Sequence, residues 1–369
     1  MTASMCNKYP HYAGDVINSS VPGKQFLTVR EPVGVAAMVC PWNFPIGMPA
    51  RKISAALAAG CTCVVKPAED TPLSTLALAA IIQEAGLPAG LVNIVPCSRK
   101  KVKEVGELLC SSPKVSLVSF TGSTEVGRSL YSQCGQHVKR VAMELGGNAP
   151  FIVFQSADME AAVAGLVGAK FRNSGQTCVT ANRIMIHESL YQDFLEKFKL
   201  ATEKQVVGDG CVPGTTQGPI INSRQLERVE RIVRESLAQG AVLELGGERR
   251  GNCYLPTVLT GVTPSMTCWR EEIFGPVAAI STFSTEEEAV REANNSDRGL
   301  AGYFFSKDMA QIWRVSRQLE MGMVGVNDIG ISTPETPFGG YKTSGIGKEG
   351  SKYGLEEYSN VKLIDLGGL

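Results

Sequence analysis

Short apolar runs alternate with stretches of helical spacing along most of this chain. Val33–Val39, Cys61–Val65, Leu91–Val95 and Val115–Phe120 each read as a buried strand. Between the first two, Pro49–Ala59 reads as a helix. The next helix has Thr71 as N-cap, Pro72 at its first position, a Leu/Ala/Ile run, and Gly86 and Pro88 as its stop. This punctuation predicts βαβ units and a mostly parallel, doubly wound sheet. A second α/β region follows the strand Val138–Ala142. Its expected elements are strand Phe151–Phe154, helix Met159–Phe171, strand Arg183–His187, and helices Ser189–Lys204 and Asn222–Gln239. Thr285 with Glu288 forms a capping-box signature. Leu300–Phe305 and Met323–Val326 flank a helix over Met309–Glu320. The two ends differ: Tyr12–Arg30 reads as an extended hairpin and Tyr358–Ile364 as a terminal strand, both arms rather than core.

With 369 residues the chain exceeds one compact core and predicts two domains. It carries 36 basic and 36 acidic residues, so its charge favours no polyanionic partner, and no basic arm suggests nucleic acid. Eleven cysteines without metal-ligand spacing and three scattered histidines predict free thiols in a reducing compartment and no metal site. No apolar run approaches the ~20 residues of a membrane span. Met1–Cys6 carries neither a signal sequence nor an Arg-rich presequence.

Several turns carry candidate chemistry. Cys178 follows the expected helix Met159–Phe171 and a turn containing Gly175, a junction that presents a thiol to a cleft. A lone cysteine is more often structural, so the neighbouring motifs decide. Phe120-Thr121-Gly122-Ser123 ends a strand and opens a helix, where backbone N–H groups hold phosphate. Its spacing approaches a P-loop, but Arg128 stands at the lysine position. Lys66-Pro67-Ala68-Glu69 lies at a strand's carboxyl edge, where Lys66 and Glu69 suit ribose hydroxyls, although this four-residue motif by itself also fits an ordinary surface ion pair. Glu144 precedes Gly146-Gly147, a flexible pair that lets a carboxylate swing toward a cleft as a general base. Pro41-Trp42-Asn43-Phe44-Pro45 is a rigid turn with an amide suited to an oxyanion. Glu271-Glu272-Ile273-Phe274-Gly275-Pro276 is a comparable acidic-aromatic turn.

These segments, in this order and joined by Pro337-Phe338-Gly339-Gly340-Tyr341-Lys342, resemble the aldehyde dehydrogenase superfamily from about Tyr12 to Leu369. The likeness is strongest to its succinate-semialdehyde branch, through Lys170-Phe171-Arg172-Asn173-Ser174-Gly175-Gln176, Gly214-Thr215-Thr216-Gln217-Gly218-Pro219 and Gly350-Ser351-Lys352-Tyr353-Gly354. The resemblance implies an α/β fold of two doubly wound, Rossmann-like open-sheet domains with an oligomerisation hairpin and a C-terminal arm. It places the hairpin at 12–30, an NAD-binding domain at 31–145, a catalytic domain at 146–345 and a C-terminal return and arm at 346–369. It implies Cys178 as nucleophile, Asn43 as oxyanion partner and Glu144 as the base that activates water. Trp42, Lys66, Glu69, Gly122, Ser123, Glu272 and Phe274 would hold the cofactor, NAD in preference to NADP because a carboxylate at Glu69 repels a 2′-phosphate.

Arg51, Arg172 and Ser332 match positions that clamp the carboxylate of succinate semialdehyde, and an arginine fork suits such a group. The implied reaction is oxidation to succinate, a step of GABA degradation, in a homo-oligomer of two or four chains. The implied compartment is the mitochondrial matrix, with the cytoplasm as the alternative, since no targeting segment stands in this sequence. Two competing expectations are a truncated, inactive homologue acting only as partner subunit or nucleotide-binding module, and an aldehyde dehydrogenase for another small semialdehyde. Two departures from the family pattern stand out. Thr180 replaces a second cysteine that some relatives carry beside the nucleophile, and roughly a hundred N-terminal residues of the family's cofactor domain have no counterpart, which predicts an N-terminally truncated fold.

Overall fold

The computed structural model of the chain describes residues 14–368; Met1–Cys6 and Tyr12 lie outside them. The described residues divide into two compact units. The first runs to Glu144 and includes residues 332–339 and the chain from Ile346; the second comprises Leu145–Ile331 and Gly340–Gly345.

In the first unit β1 (Val16–Asn18) and β2 (Lys24–Pro32) form an antiparallel hairpin, and β2 pairs along its whole length with the C-terminal strand Ser359–Gly367. Beyond it lie β3 (Val35–Val39), α1 (Gly47–Ala58), β4 (Thr62–Lys66), α2 (Pro72–Glu84), β5 (Val92–Ile94), α3 (Val102–Ser111), β6 (Val115–Thr121), α4 (Thr124–Gln136) and β7 (Arg140–Glu144). Five strands lie side by side in the order β7-β6-β3-β4-β5, each adjacent pair parallel. The chain leaves β3 toward β4 and β5 and later returns on the other side of β3 to β6 and β7. The carboxyl edge beside β3 is therefore the reversal point where such sheets take ligands. Ala36, Met38, Cys63, Val65 and Leu117 are fully buried, as expected of strands covered on both faces. Pro72 opens α2 as expected, but Thr71 makes no capping bond and its hydroxyl is buried without a hydrogen-bond partner. Proline at the first position presets the backbone without that cap.

The second unit is built on a seven-stranded sheet. In chain order it contains β8 (Ala149–Val153), α5 (Met159–Phe171), β9 (Ala181–His187), α6 (Tyr191–Glu203), α7 (Ser223–Ala238), β10 (Val242–Leu245), β11 (Thr257–Thr260), β12 (Val277–Phe283), α8 (Glu286–Asn294), β13 (Ala301–Phe305), α9 (Met309–Gln318) and β14 (Met323–Val326). The order is β10-β11-β12-β9-β8-β13-β14, parallel except for the antiparallel edge pair β10–β11. Phe151, Phe304, Ile184, Leu259 and Ala279 fill its faces. α5 starts at Asp158, whose carboxylate accepts from the Ala161 N–H at 3.1 Å, a cap worth about 1 kcal/mol. The box at Thr285 is shifted by one residue. Thr285 Oγ1 accepts from the Glu288 N–H, while the Glu288 carboxylate accepts from the Ser284 N–H instead of that of Thr285. Among the described residues no helix is long and apolar enough to cross a membrane.

Candidate active site

In the first unit, every candidate segment sits at the carboxyl end of a neighbouring parallel strand. Trp42 and Asn43 follow β3, Lys66 ends β4, Gly122 and Ser123 follow β6, and Glu144 ends β7. Parallel pairing thus brings together residues up to about a hundred positions apart in sequence. Ser123 caps α4, its hydroxyl accepting from the Val126 N–H at 3.4 Å. Gly122 is closely packed: a Cβ there would lie 2.4 Å from the Phe120 ring, which would have to move. Lys66 is buried, donates to the Pro67 carbonyl at 2.9 Å and pairs with the Glu69 carboxylate. A surface ion pair is therefore excluded for Lys66, and Glu69 stands half-buried beside it. An ammonium and a carboxylate held at this edge fit the paired hydroxyls of a ribose.

Glu144 is 3% exposed, and one of its oxygens has no hydrogen-bond partner. Burial pushes its carboxyl well above the usual range and the Glu349 carboxylate adds to this, while Lys52, Lys348 and Arg51 oppose it. The carboxylate sits against the C-terminal motif, where a Cβ on Gly339 would lie 2.8 Å from Glu144 Oε1. Beneath it lies a charged cluster that sequence reasoning missed. The fully buried Lys52 ammonium donates to Ser119 Oγ at 2.8 Å and to Glu349 Oε1 at 2.5 Å. The available signal was Arg51-Lys52, two adjacent cations in an otherwise apolar helix α1.

Arg51 and Ser332, 281 positions apart, meet through a 2.8 Å hydrogen bond from the guanidinium to the hydroxyl. The same guanidinium lies 3.6 Å from Glu349 and 4.5 Å over the Phe338 ring. Its charge is shared with a neighbouring carboxylate.

In the second unit the candidates lie at the opposite end of the sheet. The turns holding Gly147, Cys178, Glu272 and Arg298 feed the amino ends of β8, β9, β12 and β13, four strands adjacent in the order β12-β9-β8-β13. Between α5 and Cys178 the backbone turns through Asn173, Ser174 and Gly175, all with positive φ. The turn is pinned throughout. Ser174 Oγ donates to the Gly218 carbonyl at 2.8 Å, and Gln176 donates to Pro219 and accepts from the Ile221 N–H. A Cβ on Gly175 would lie 2.1 Å from the Gly275 carbonyl, so only glycine lets this turn lie on the turn that holds Phe274. Gly147 is likewise a close-approach glycine, its absent Cβ 2.2 Å from the Cys178 carbonyl oxygen. Tyr303 Oη donates to the Val179 carbonyl at 2.9 Å. The result is a half-buried thiol on a rigid turn, with Arg172 exposed at the start of that turn.

Glu272 Oε1 accepts from the Gly147 N–H at 3.0 Å, and Arg228 donates to the Glu272 carbonyl at 2.8 Å. Phe274 holds a positive φ of 55°, which turns the chain sharply after Glu272. The glycines at 146 and 147 let the Glu272 carboxylate and the Cys178 carbonyl pack directly on the backbone, where added Cβ atoms would lie 2.6 Å and 2.2 Å away. In the first unit Lys66, Glu69 and the helix start at Ser123 suit the ribose and phosphates of a nucleotide; in the second, the Glu272 carboxylate suits a ribose. Lys170 and Arg298 also stand near Glu272 and were not singled out from sequence. The signal for Lys170 was a lone lysine closing an Ala/Val/Gly/Leu run.

The family model described as "Aldehyde dehydrogenase family" matches residues 1–364. Over 360 residues the chain is 55% identical to the mitochondrial succinate-semialdehyde dehydrogenase of Mus musculus, covering 96% of this chain and 69% of that protein. The crystal structure of succinate-semialdehyde dehydrogenase from Burkholderia pseudomallei is similar at TM-score 0.97 and 46% identity, covering 99% of this chain and 76% of that one. That of an E. coli NADP dependent enzyme is similar at TM-score 0.94 and 45% identity, covering 96% and 74%. The turns around Cys178, Glu144 and Glu272 therefore sit in a scaffold shared along nearly the whole described chain: it belongs to the aldehyde dehydrogenase family and is an oxidoreductase.

Proposed function

We propose that the chain oxidises succinate semialdehyde to succinate with NAD, Cys178 being the nucleophile. The observation that carries this reading is the half-buried Cys178 thiol on a fully pinned turn that begins with an exposed arginine. A thiol so placed attacks an aldehyde carbon while Arg172 meets a carboxylate at the substrate's far end. The Asn43 amide and the Cys178 N–H receive the developing oxyanion of the thiohemiacetal. Trp42, Lys66, Glu69, Gly122, Ser123, Glu272 and Phe274 hold the dinucleotide, which when bound supplies the hydride acceptor. The acyl-thioester left on Cys178 is opened by water, whose proton Glu144 takes. Arg51 and Ser332 complete the carboxylate clamp. A substrate panel followed at 340 nm tests the reading; equal kcat/KM for succinate semialdehyde and for uncharged aldehydes of similar length would refute it.

Glu144 fits its role because its raised pKa brings it toward operating pH, and its unpartnered oxygen has an acceptor site for water. A base works only when deprotonated, so steady-state turnover should rise with pH through the pKa of Glu144. In Glu144→Gln the stoichiometric burst of NADH should persist, while steady-state turnover falls by about 10²–10⁴-fold and loses that pH dependence. Loss of the burst as well would remove Glu144 from the hydrolytic step.

The preference for NAD rests on Glu69, whose carboxylate accepts from a ribose diol and repels a 2′-phosphate. The E. coli neighbour's NADP dependence makes this a matter for the local residues rather than the scaffold. Glu69→Gln should lower the NAD-to-NADP ratio of kcat/KM by about tenfold, the worth of one charged contact. An unchanged ratio would mean that another group selects the cofactor.

The sheet formed by β1, β2 and the C-terminal strand exposes Val16, Val361 and Leu363. Its apolar surface supports a homo-oligomer of two or four chains. The mitochondrial name of the mouse relative supports a matrix location.

A further inference from the structure

Glu272 needs to be ionised to accept hydrogen bonds from both hydroxyls of a ribose, yet its surroundings favour the neutral acid. Burial is the largest influence on its carboxyl and raises its pKa, opposed by the Gly147 N–H and then by Arg298, Arg228 and Lys170. These cations are not equivalent. Arg228, on α7, spends Nη2 on the Glu272 backbone carbonyl and also faces Glu271 at 3.4 Å. Lys170, on α5, is fully buried, donates to the Ala181 carbonyl at 3.0 Å and lies near Cys268; burial lowers its pKa to about 7. Its charge is therefore lost as pH rises through neutrality. Arg298, just before β13, brings a guanidinium with several donors. Its Nε lies 3.3 Å from the exposed Asp297, a weak surface pair. Its Nη1 is buried with no hydrogen-bond partner. Gly146 shows where that nitrogen stands. A Cβ on Gly146 would lie 2.6 Å from Glu272 Oε2 and 3.4 Å from Arg298 Nη1, so carboxylate and guanidinium crowd the same bare backbone.

We propose that Arg298 is a cofactor-positioning residue, whose guanidinium beside Gly146 keeps the Glu272 carboxylate ionised and turned toward the nicotinamide ribose. The inference rests on Glu272 being a ribose partner, the role given to it above. Arg298 acts through Glu272 and touches no reacting atom. Its guanidinium supplements Lys170, which loses its proton on the alkaline side of neutrality. On the acid side Lys170 assists, but Glu272 itself comes closer to protonation. Removing Arg298 therefore moves protonation of Glu272 to higher pH, and dinucleotide affinity falls as pH decreases.

The test is fluorescence titration of NADH into the full-length wild type, Arg298→Met, Arg298→Lys and Glu272→Gln between pH 6 and 8, without aldehyde, alongside thermal unfolding of each. Wild-type Kd is expected to vary by less than about threefold across this range and Arg298→Met by about tenfold, weakest at pH 6, because one unit of pKa shift is a factor of ten in protonation. Arg298→Lys should restore most of the wild-type profile. Glu272→Gln should bind weakly at every pH. An Arg298→Met profile parallel to wild type, with Glu272→Gln weakened, overturns the proposal alone. Wild-type affinity in Glu272→Gln overturns the ribose role itself. Should Arg298→Met not fold, Arg298→Gln in the same titration decides by the same criterion.

Discussion

Cys178→Ser is expected to lower kcat for NADH formation from succinate semialdehyde by at least about 10³-fold, since a serine hydroxyl without an adjacent base is a far weaker nucleophile than a thiolate. The exchange of sulfur for oxygen leaves the turn intact. Ser174 and Gln176 still hold Gly218, Pro219 and Ile221, and the close approaches at Gly147 and Gly175 involve backbone carbonyls, not the side chain. NADH affinity and thermal unfolding should therefore match wild type, which separates lost chemistry from lost structure. An electrophile such as iodoacetamide should label Cys178 before the buried Cys40, Cys61, Cys63 and Cys268, whose thiols burial raises. Turnover of Cys178→Ser within about tenfold of wild type would remove the nucleophile from the scheme.

Arg172→Ala should raise KM for succinate semialdehyde about 10²-fold with hexanal little affected, because a lost charge-assisted pair costs about 2–3 kcal/mol and each 1.4 kcal/mol is tenfold. Arg172 is the cleaner probe of the clamp than Arg51. It is exposed at the start of the nucleophile's turn, whereas Arg51 is 6% exposed and shared among Ser332, Glu349 and the Phe338 ring. Removing Arg51 would also leave Glu349 short of a cation. Equal losses on both aldehydes in Arg172→Ala would refute the clamp.

Much of this architecture was legible in the chain. The helix over Met159–Phe171 has the expected bounds, because Asp158 caps one end and a glycine-bearing turn closes the other. Strands β3, β4, β5 and β6 stand within a few residues of their apolar runs. The strands β10, β11 and β12 went unassigned: β10 is exposed or half-buried throughout, and Thr and Ser interrupt the short apolar runs of the buried β11 and β12, which only neighbouring strands complete. Helix α3 was missed beside the basic run at Ser98–Lys101, which its first turn follows directly.

The candidate site divides in the same way. Turn chemistry is local, so proline, glycine, an amide or a thiol at fixed spacing already marked Asn43, Gly122, Gly175 and Cys178 in the one-dimensional chain. What those residues face is not local. Parallel pairing set Lys66, Ser123 and Glu144 along one carboxyl edge and Gly147, Cys178, Glu272 and Arg298 along one amino edge. Burial then gave the charged groups their character: Lys52 with Glu349, Lys170 approaching neutrality, and Glu144 leaning toward its protonated form. Side-chain type and spacing belong to the sequence. The desolvation and the opposing charges that set a pKa arise only when distant segments pack, and these the tertiary structure alone decided.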